Sequence, residues 1–208
     1  MAAGTYDRRR TFARARTLRA VDPILVEVRR GDVVESSHLV HAVVVRDGAV
    51  VEAAGDRGRV AFLRSSAKPF QALPLVRARD DVTDEELAIA SASHLATPEQ
   101  LAAVRSLLER APAEESELET GAEPTPIEHN CSGKHAGMLA LCRTMGWKSE
   151  GYRLAGHPVQ DGCLAEVAEA SDTAPADIPI AVDGCGVLTF ALPLERMALM
   201  FSRLEQVD

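Results

Sequence analysis

Lysine is nearly missing from this chain. Of 23 basic residues in a 208-residue sequence, only Lys68, Lys134 and Lys148 are lysine; the others are arginine. A guanidinium keeps its proton, whereas an amine can lose it and serve as a base or ligand, so each retained lysine is a candidate for chemistry. No run of 18 or more apolar residues is present, which excludes a membrane-spanning helix. The first 20 residues contain no apolar run of signal-peptide length, which argues against secretion and for a cytoplasmic chain. The four cysteines, Cys131, Cys142, Cys163 and Cys185, therefore read as cytosolic thiols or metal ligands before disulfides. Positive charge is lacking as well. A net charge of −8 excludes a general nucleic-acid or anionic-membrane partner. The exception is residues 1–20, whose six arginines and one acid, Asp7, read as a basic flexible tail.

What is present is ordinary for a globular domain, at 46% hydrophobic and 26% charged residues. No linker or internal repeat divides residues 21–208, which read as one domain around one core. Residues 24 to 63 alternate as Val-rich strands, with Asp47-Gly48 as a hairpin turn. Helical spacing takes over from Ala67, with Phe70, Leu73 and Val76 on one side. Further helices are expected from Asp84 to near His94, from the Thr97-Pro98-Glu99-Gln100 cap to Arg110, from Ser132, and after His157-Pro158. Residues 111–126 are acidic and rich in Pro and Gly, and read as a solvated loop. The end reads as a strand IPIAV, a turn DGCG and a helix through ALPLERMALMFSRL. Strands first, helices after and a last strand predict an α+β fold with a mainly antiparallel sheet.

Two short motifs put a lysine three residues after a nucleophilic atom at a predicted helix start. In Ser65-Ser66-Ala67-Lys68, positions i and i+3 share a face, so the Ser65 hydroxyl and Lys68 amine can come within hydrogen-bond reach. The partial positive charge of the helix N-terminus disfavours an ammonium there and pushes Lys68 toward the neutral base. The same N–H groups can stabilise an oxyanion, and serine activated by lysine is a known solution for acyl transfer. On S-x-x-K alone, however, a serine cap with a solvated lysine accounts for the residues better. In His129-Asn130-Cys131-Ser132-Gly133-Lys134-His135 the helix end favours a Cys131 thiolate and a neutral Lys134 amine. Cys185 lies in the turn Asp183-Gly184-Cys185-Gly186, where flanking glycines permit close backbone approach. Two cysteines suit zinc, but a lysine ligand is rare, and a polar helix cap with buried thiols is the plainer reading. Ser93-His94 reads by itself as a helix end with an exposed histidine. Cys142 and Cys163 read as small core residues.

Together, RSSAKPFQALPLV, ASASH, HNCSGKHAGMLALC, GHPVQ and DGCGVLTFALPLERMA resemble, in order and spacing, the rhizobial-type (class 3, thermolabile) L-asparaginases over residues 22 to 205. The resemblance implies a fold like the serine β-lactamases and glutaminases: an antiparallel sheet with surrounding helices. It implies Ser65 as nucleophile, Lys68 as its base and Ser93 as a second active-site serine. It further implies a modulatory zinc held by Cys131, Lys134 and Cys185, with Arg64 and Asp183 in the substrate or zinc environment. The implied reaction is hydrolysis of the L-asparagine side-chain amide by a homodimer. After Ser93-His94 the chain departs from the family, reading Leu95-Ala96-Thr97-Pro98-Glu99 in place of a small residue and Gly-Glu. The family's second lysine belongs to a C-terminal part beyond Asp208, so the chain resembles a truncated copy. The alternatives are an inactive zinc-binding fragment, or a related Ser-Lys hydrolase acting on glutamine or β-lactams.

Overall fold

The computed structural model describes residues 21–121 and 125–204; the basic tail expected over residues 1–20 lies outside them. Two compact units emerge. One joins the chain up to Val60 with the residues from Pro193 onward, and the other is Ala61–Leu192.

In the first unit, β1 (Ile24–Arg30) pairs antiparallel with β2 (Val33–Val40), and β3 (Ala42–Arg46) pairs antiparallel with β4 (Ala49–Ala54). The predicted turn between β3 and β4 is present: Asp47 and Gly48 have φ of 51° and 73°, the two left-handed residues that a tight two-residue hairpin requires. A closing helix (Leu194–Ser202) packs on β3 and buries Leu199 and Met200.

The second unit contains a three-stranded sheet and five helices. β5 (Val60–Phe62) leads into it, and β6 (Ile180–Val182) and β7 (Leu188–Pro193) complete the sheet in the order β5-β7-β6. The helices are α1 (Lys68–Ala78), α2 (Asp84–Ser91), α3 (Pro98–Arg110), α4 (Ser132–Met145) and α5 (Pro158–Ser171). α4 is the axis of this unit. Every residue from Ser132 to Cys142 is buried, as expected of a helix surrounded on all sides, and α1, α2 and α3 pack against it. The approach of α2 depends on Gly133, where a Cβ would stand 2.2 Å from the Ile89 carbonyl oxygen. Gly133→Ala must push α2 aside. It is expected to lower the thermal midpoint by the equivalent of about 1–3 kcal/mol, the cost of overpacking, as read by circular dichroism.

The α+β class is as expected, but among the described residues the strands form three small sheets and no continuous one. Alternation marks strands and local hairpins, while the choice of edge partners depends on tertiary packing. Two further expectations are corrected. The final helix starts at Leu194 and not at Ala191, because residues 188–193 form the middle strand of a sheet; Ala191 N–H donates to the Pro179 carbonyl at 2.9 Å. The acidic segment before α4 is partly packed: Leu118 and Thr120 are buried, and Glu117 and Glu119 pair with Arg143 and Arg153. Its charges have fixed partners, which composition alone does not reveal. Among the described residues, no helix is long and apolar enough to cross a membrane.

Candidate active site

The site begins where β5 turns into α1. One 3-10 turn, Arg64–Ala67, joins them, and β7 fastens that junction at three points. Leu63 N–H donates to Phe190 O at 2.8 Å, Arg64 N–H to Thr189 Oγ1 at 3.0 Å, and Gln71 Nε2 to Leu188 O at 3.0 Å. Arg64 has φ of 51°. A left-handed backbone at a residue with a Cβ costs about 1–3 kcal/mol and persists only where its surroundings enforce it. Here the enforcement includes the Arg64 guanidinium, whose Nη2 lies 2.8 Å from Asp183 Oδ1, in the turn that carries Cys185. The next residue is Ser65, exposed to solvent. In a 3-10 turn, residues i and i+3 eclipse, so Ser65 and Lys68 lie one above the other. The Ser66 N–H donates to the Leu63 carbonyl at 3.1 Å.

Lys68 is fully buried. Its Nζ reaches Ala92 O at 2.9 Å, Ser93 Oγ at 2.9 Å and Asn130 O at 3.3 Å. Two of these partners are carbonyls, which only accept, so they fix two N–H directions and aim the third valence of the nitrogen at Ser93. Of the three, only the Ser93 hydroxyl can return a proton. Burial pushes the Lys68 amine below its ordinary value, with Cys131 opposing and Lys134 assisting, which favours the neutral base. The sequence places Lys68 with Ser65; the structure gives its hydrogen bond to Ser93, and among the described residues none joins Lys68 to the Ser65 hydroxyl.

His94, expected to be exposed, is buried. Its Nδ1 accepts the Ala96 N–H at 3.1 Å, which leaves the Nε2 proton to donate to Ser132 Oγ at 2.8 Å. Burial and the Lys68 charge keep its proton affinity low. Its backbone N–H donates to Asn130 O at 3.2 Å. The loop carrying Ser93 is thereby stitched to the start of α4.

The start of α4 also carries the sulfur cluster. Cys131, Lys134 and Cys185 are all buried, and Lys134 Nζ donates to Cys185 Sγ at 3.2 Å. The thiols of Cys131 and Cys185 interact, so that Cys131 is pushed up and Cys185 is pulled down, by Cys131 first and then by His135 and Lys134. The pair is thereby biased toward a thiol at Cys131 and a thiolate at Cys185. Two sulfurs and an amine converging in a buried site form a soft-to-borderline donor set that can hold a zinc-like ion once Cys131 and Lys134 lose their protons. Among the described residues, no three His, Cys, Asp or Glu side chains cluster to hold a metal by themselves; in the candidate set the third donor would be lysine. Cys142 and Cys163 lie apart in the core, their thiols raised by burial to about 11 and about 12.

A family model described as L-asparaginase II matches residues 26–208. The chain belongs to the L-asparaginase II family. A search of curated proteins finds no match. Membership makes the chain an asparaginase-type amidohydrolase, with a small molecule as its substrate.

For a member of the L-asparaginase II family, the distribution of candidate residues is informative. Arg64, Ser65 and Lys68 come from the β5–α1 junction, Ser93 from just past the end of α2, Cys131 from the N-cap of α4 and Lys134 from its first turn, and Asp183 and Cys185 from the β6–β7 turn. All eight lie within the unit Ala61–Leu192. The sequence reading missed Asn130, whose carbonyl serves both Lys68 and His94, and the buried His135–Tyr152 pair. A backbone acceptor leaves no mark in a sequence. For His135 the one signal is a polar side chain beside Lys134 at the head of an otherwise apolar helix.

Proposed function

We propose that the chain hydrolyses the side-chain amide of L-asparagine to aspartate and ammonia through an acyl-serine, with Lys68 as the general base. The observation that carries this is the fully buried Lys68 amine, lowered by burial and hydrogen-bonded to a serine hydroxyl at 2.9 Å. Ser65 is the nucleophile in the first reading, supported by its exposure, its eclipsed position over Lys68 and the strained Arg64 that presents it. Its oxygen attacks the amide carbon while its proton passes to the Lys68 amine. The C–N bond breaks, and the nitrogen leaves as ammonia, carrying that proton. Water then attacks the ester, gives a proton to Lys68, and releases aspartate as the serine recovers its hydrogen. Arg64 and Asp183 border this step and orient the substrate.

Cys131, Lys134 and Cys185 would hold a zinc ion beside the pocket, supported by their convergence and by the Cys185 thiolate. When bound, the ion supplies positive charge that strengthens substrate binding. The junction of β5, a Ser-x-x-Lys turn and a helix, set against an antiparallel β6–β7 pair, supports a serine β-lactamase-like arrangement for this unit.

A second reading is favoured by the 2.9 Å bond from Lys68 to Ser93: Ser93, also exposed, is the acylated residue. Mass mapping of the trapped acyl-enzyme separates the two. The first reading expects the adduct on Ser65 and a fall in ammonia release of about 1,000-fold or more for Ser65→Ala. An adduct on Ser93, together with an unimpaired Ser65→Ala, establishes the second.

A further inference from the structure

The loop that brings Ser93 to Lys68, residues 92–97, is held almost without burial. His94 is its one buried residue, and Leu95 is 90% exposed, so hydrogen bonds and not packing set its shape. Ala96 has φ of 56°, a left-handed backbone that a residue with a Cβ keeps only under constraint. Much of that constraint comes from one side chain beyond the loop. Gln100 Oε1 accepts the Leu95 N–H at 2.9 Å and the Thr97 N–H at 3.1 Å, gripping the backbone on either side of Ala96. The Ala96 N–H between them goes to His94 Nδ1 at 3.1 Å, and the His94 N–H to Asn130 O at 3.2 Å. The four backbone N–H groups from His94 to Thr97 are thereby all engaged, two of them by a single oxygen. Just before them in the chain, Ala92 O and Ser93 Oγ meet Lys68 Nζ, each at 2.9 Å.

A capping box accounts for only part of this. In the box that opens α3, Thr97 Oγ1 accepts the Gln100 N–H at 3.4 Å, and Gln100 Oε1 accepts the Thr97 N–H in return. The bond to Leu95 lies outside the box and reaches back toward the site. We infer that Gln100 is a positioning residue for the proposed reaction: its carbonyl locks the 92–97 loop and so fixes the Ala92 carbonyl and Ser93 hydroxyl that aim the Lys68 amine. Gln100 acts through the loop backbone. Its role is the same whether Ser65 or Ser93 carries the acyl group, because in both cases the loop holds the amine. The inference rests on the reading of Lys68 as the base.

Kinetics and amide exchange on the full chain test it. Gln100→Ala is expected to lower kcat for ammonia release about 10- to 100-fold, the scale of a slightly misplaced catalytic group, with KM changed less than about 2-fold. Gln100→Glu keeps an acceptor oxygen at the same reach and is expected to keep a parent-like kcat. Thr97→Ala breaks the other half of the capping box and spares the Leu95 bond; it is expected to melt earlier, as Gln100→Ala does, but to turn over like the parent. In hydrogen exchange read by NMR, the Leu95, Thr97 and His94 amides of the parent are expected to be slow. Gln100→Ala is expected to speed all three, although the acceptor of the His94 N–H is untouched. Should Gln100→Ala not fold, Gln100→Met, which keeps the stem of the side chain, takes its place. A parent-like kcat in the folded variant without the oxygen overturns the inference. So do equal losses in Gln100→Ala and Gln100→Glu, a Thr97→Ala as slow as Gln100→Ala, or Leu95 and Thr97 amides that exchange in the parent as fast as an open chain. If Lys68→Met keeps the parent rate, the proposed reaction fails instead; exchange at His94 then still decides whether Gln100 holds the loop.

Discussion

Lys68→Met is expected to slow ammonia release from asparagine by about 100- to 10,000-fold, the range for loss of a general base, while the chain remains folded. Methionine keeps the unbranched stem that fills the space under α1 and deletes only the nitrogen. The loss is sharp because no other amine can take over. Lys134 is bonded to Cys185, and Lys148 lies exposed after α4. Lys148→Met therefore serves as the control and should keep the parent rate. Ala92 O loses its Lys68 donor in Lys68→Met, while Asn130 O keeps the His94 N–H, so the variant should also melt earlier, by about 1–3 kcal/mol. The readouts separate: if a variant folded at the assay temperature retains the parent rate, Lys68 is not the base.

Glu86→Ala is expected to destabilise the unit Ala61–Leu192 by about 3–5 kcal/mol, the cost of breaking a buried charged network from one side. Glu86 is 1% exposed, and its carboxylate ties the cap of α2 to α3. It accepts the Thr83 N–H at 2.9 Å to close the cap of α2, the Ser106 hydroxyl at 2.7 Å from α3, and Arg110 Nε at 2.8 Å. Arg110 in turn reaches Asp81 at 3.0 Å. Urea denaturation of parent and variant measures the difference. Burial by itself would raise the Glu86 carboxyl; the bonds from Thr83, Ser106 and Arg110 outweigh it and hold the carboxyl below its usual value. A group whose proton affinity is lower folded than unfolded stabilises above its unfolded pKa, about 4.3, and loses that contribution as the pH falls through the folded value. The parent should therefore lose stability on acidification below about pH 4.3, and Glu86→Ala should show a flatter profile there. An equal slope in both would assign acid sensitivity to other groups.

Local signals in the sequence located the elements well and their partners poorly. The Thr97-Pro98-Glu99-Gln100 cap, the Asp47-Gly48 turn and the start of α4 at Ser132 are each encoded within a few residues, and each stands where expected. The second capping box, Thr83 with Glu86, carries the same signature, and there the sequence reading stopped at the helix. Helical spacing pairs Lys68 with Ser65, because spacing sees only neighbours along the chain. The actual bond goes to Ser93, 25 residues away, because α2 is drawn onto Gly133 and brings its C-terminal end over the buried amine. His94 was misjudged for the same reason: the residue that buries it, Ser132, arrives 38 positions later. Periodicity reports which face of an element is apolar; contacts this distant depend on which elements meet.

The left-handed Arg64 bears on efforts to make this chain more robust. A standard stabilising exchange places glycine wherever a side-chain-bearing residue is forced into positive φ. Arg64 would head any such list, and Arg64→Gly would indeed relax the backbone. It would also delete the ion pair to Asp183 and free the turn that presents Ser65 beside the turn that carries Cys185. An engineer selecting on melting temperature alone would accept that exchange; one selecting on turnover should leave the position untouched.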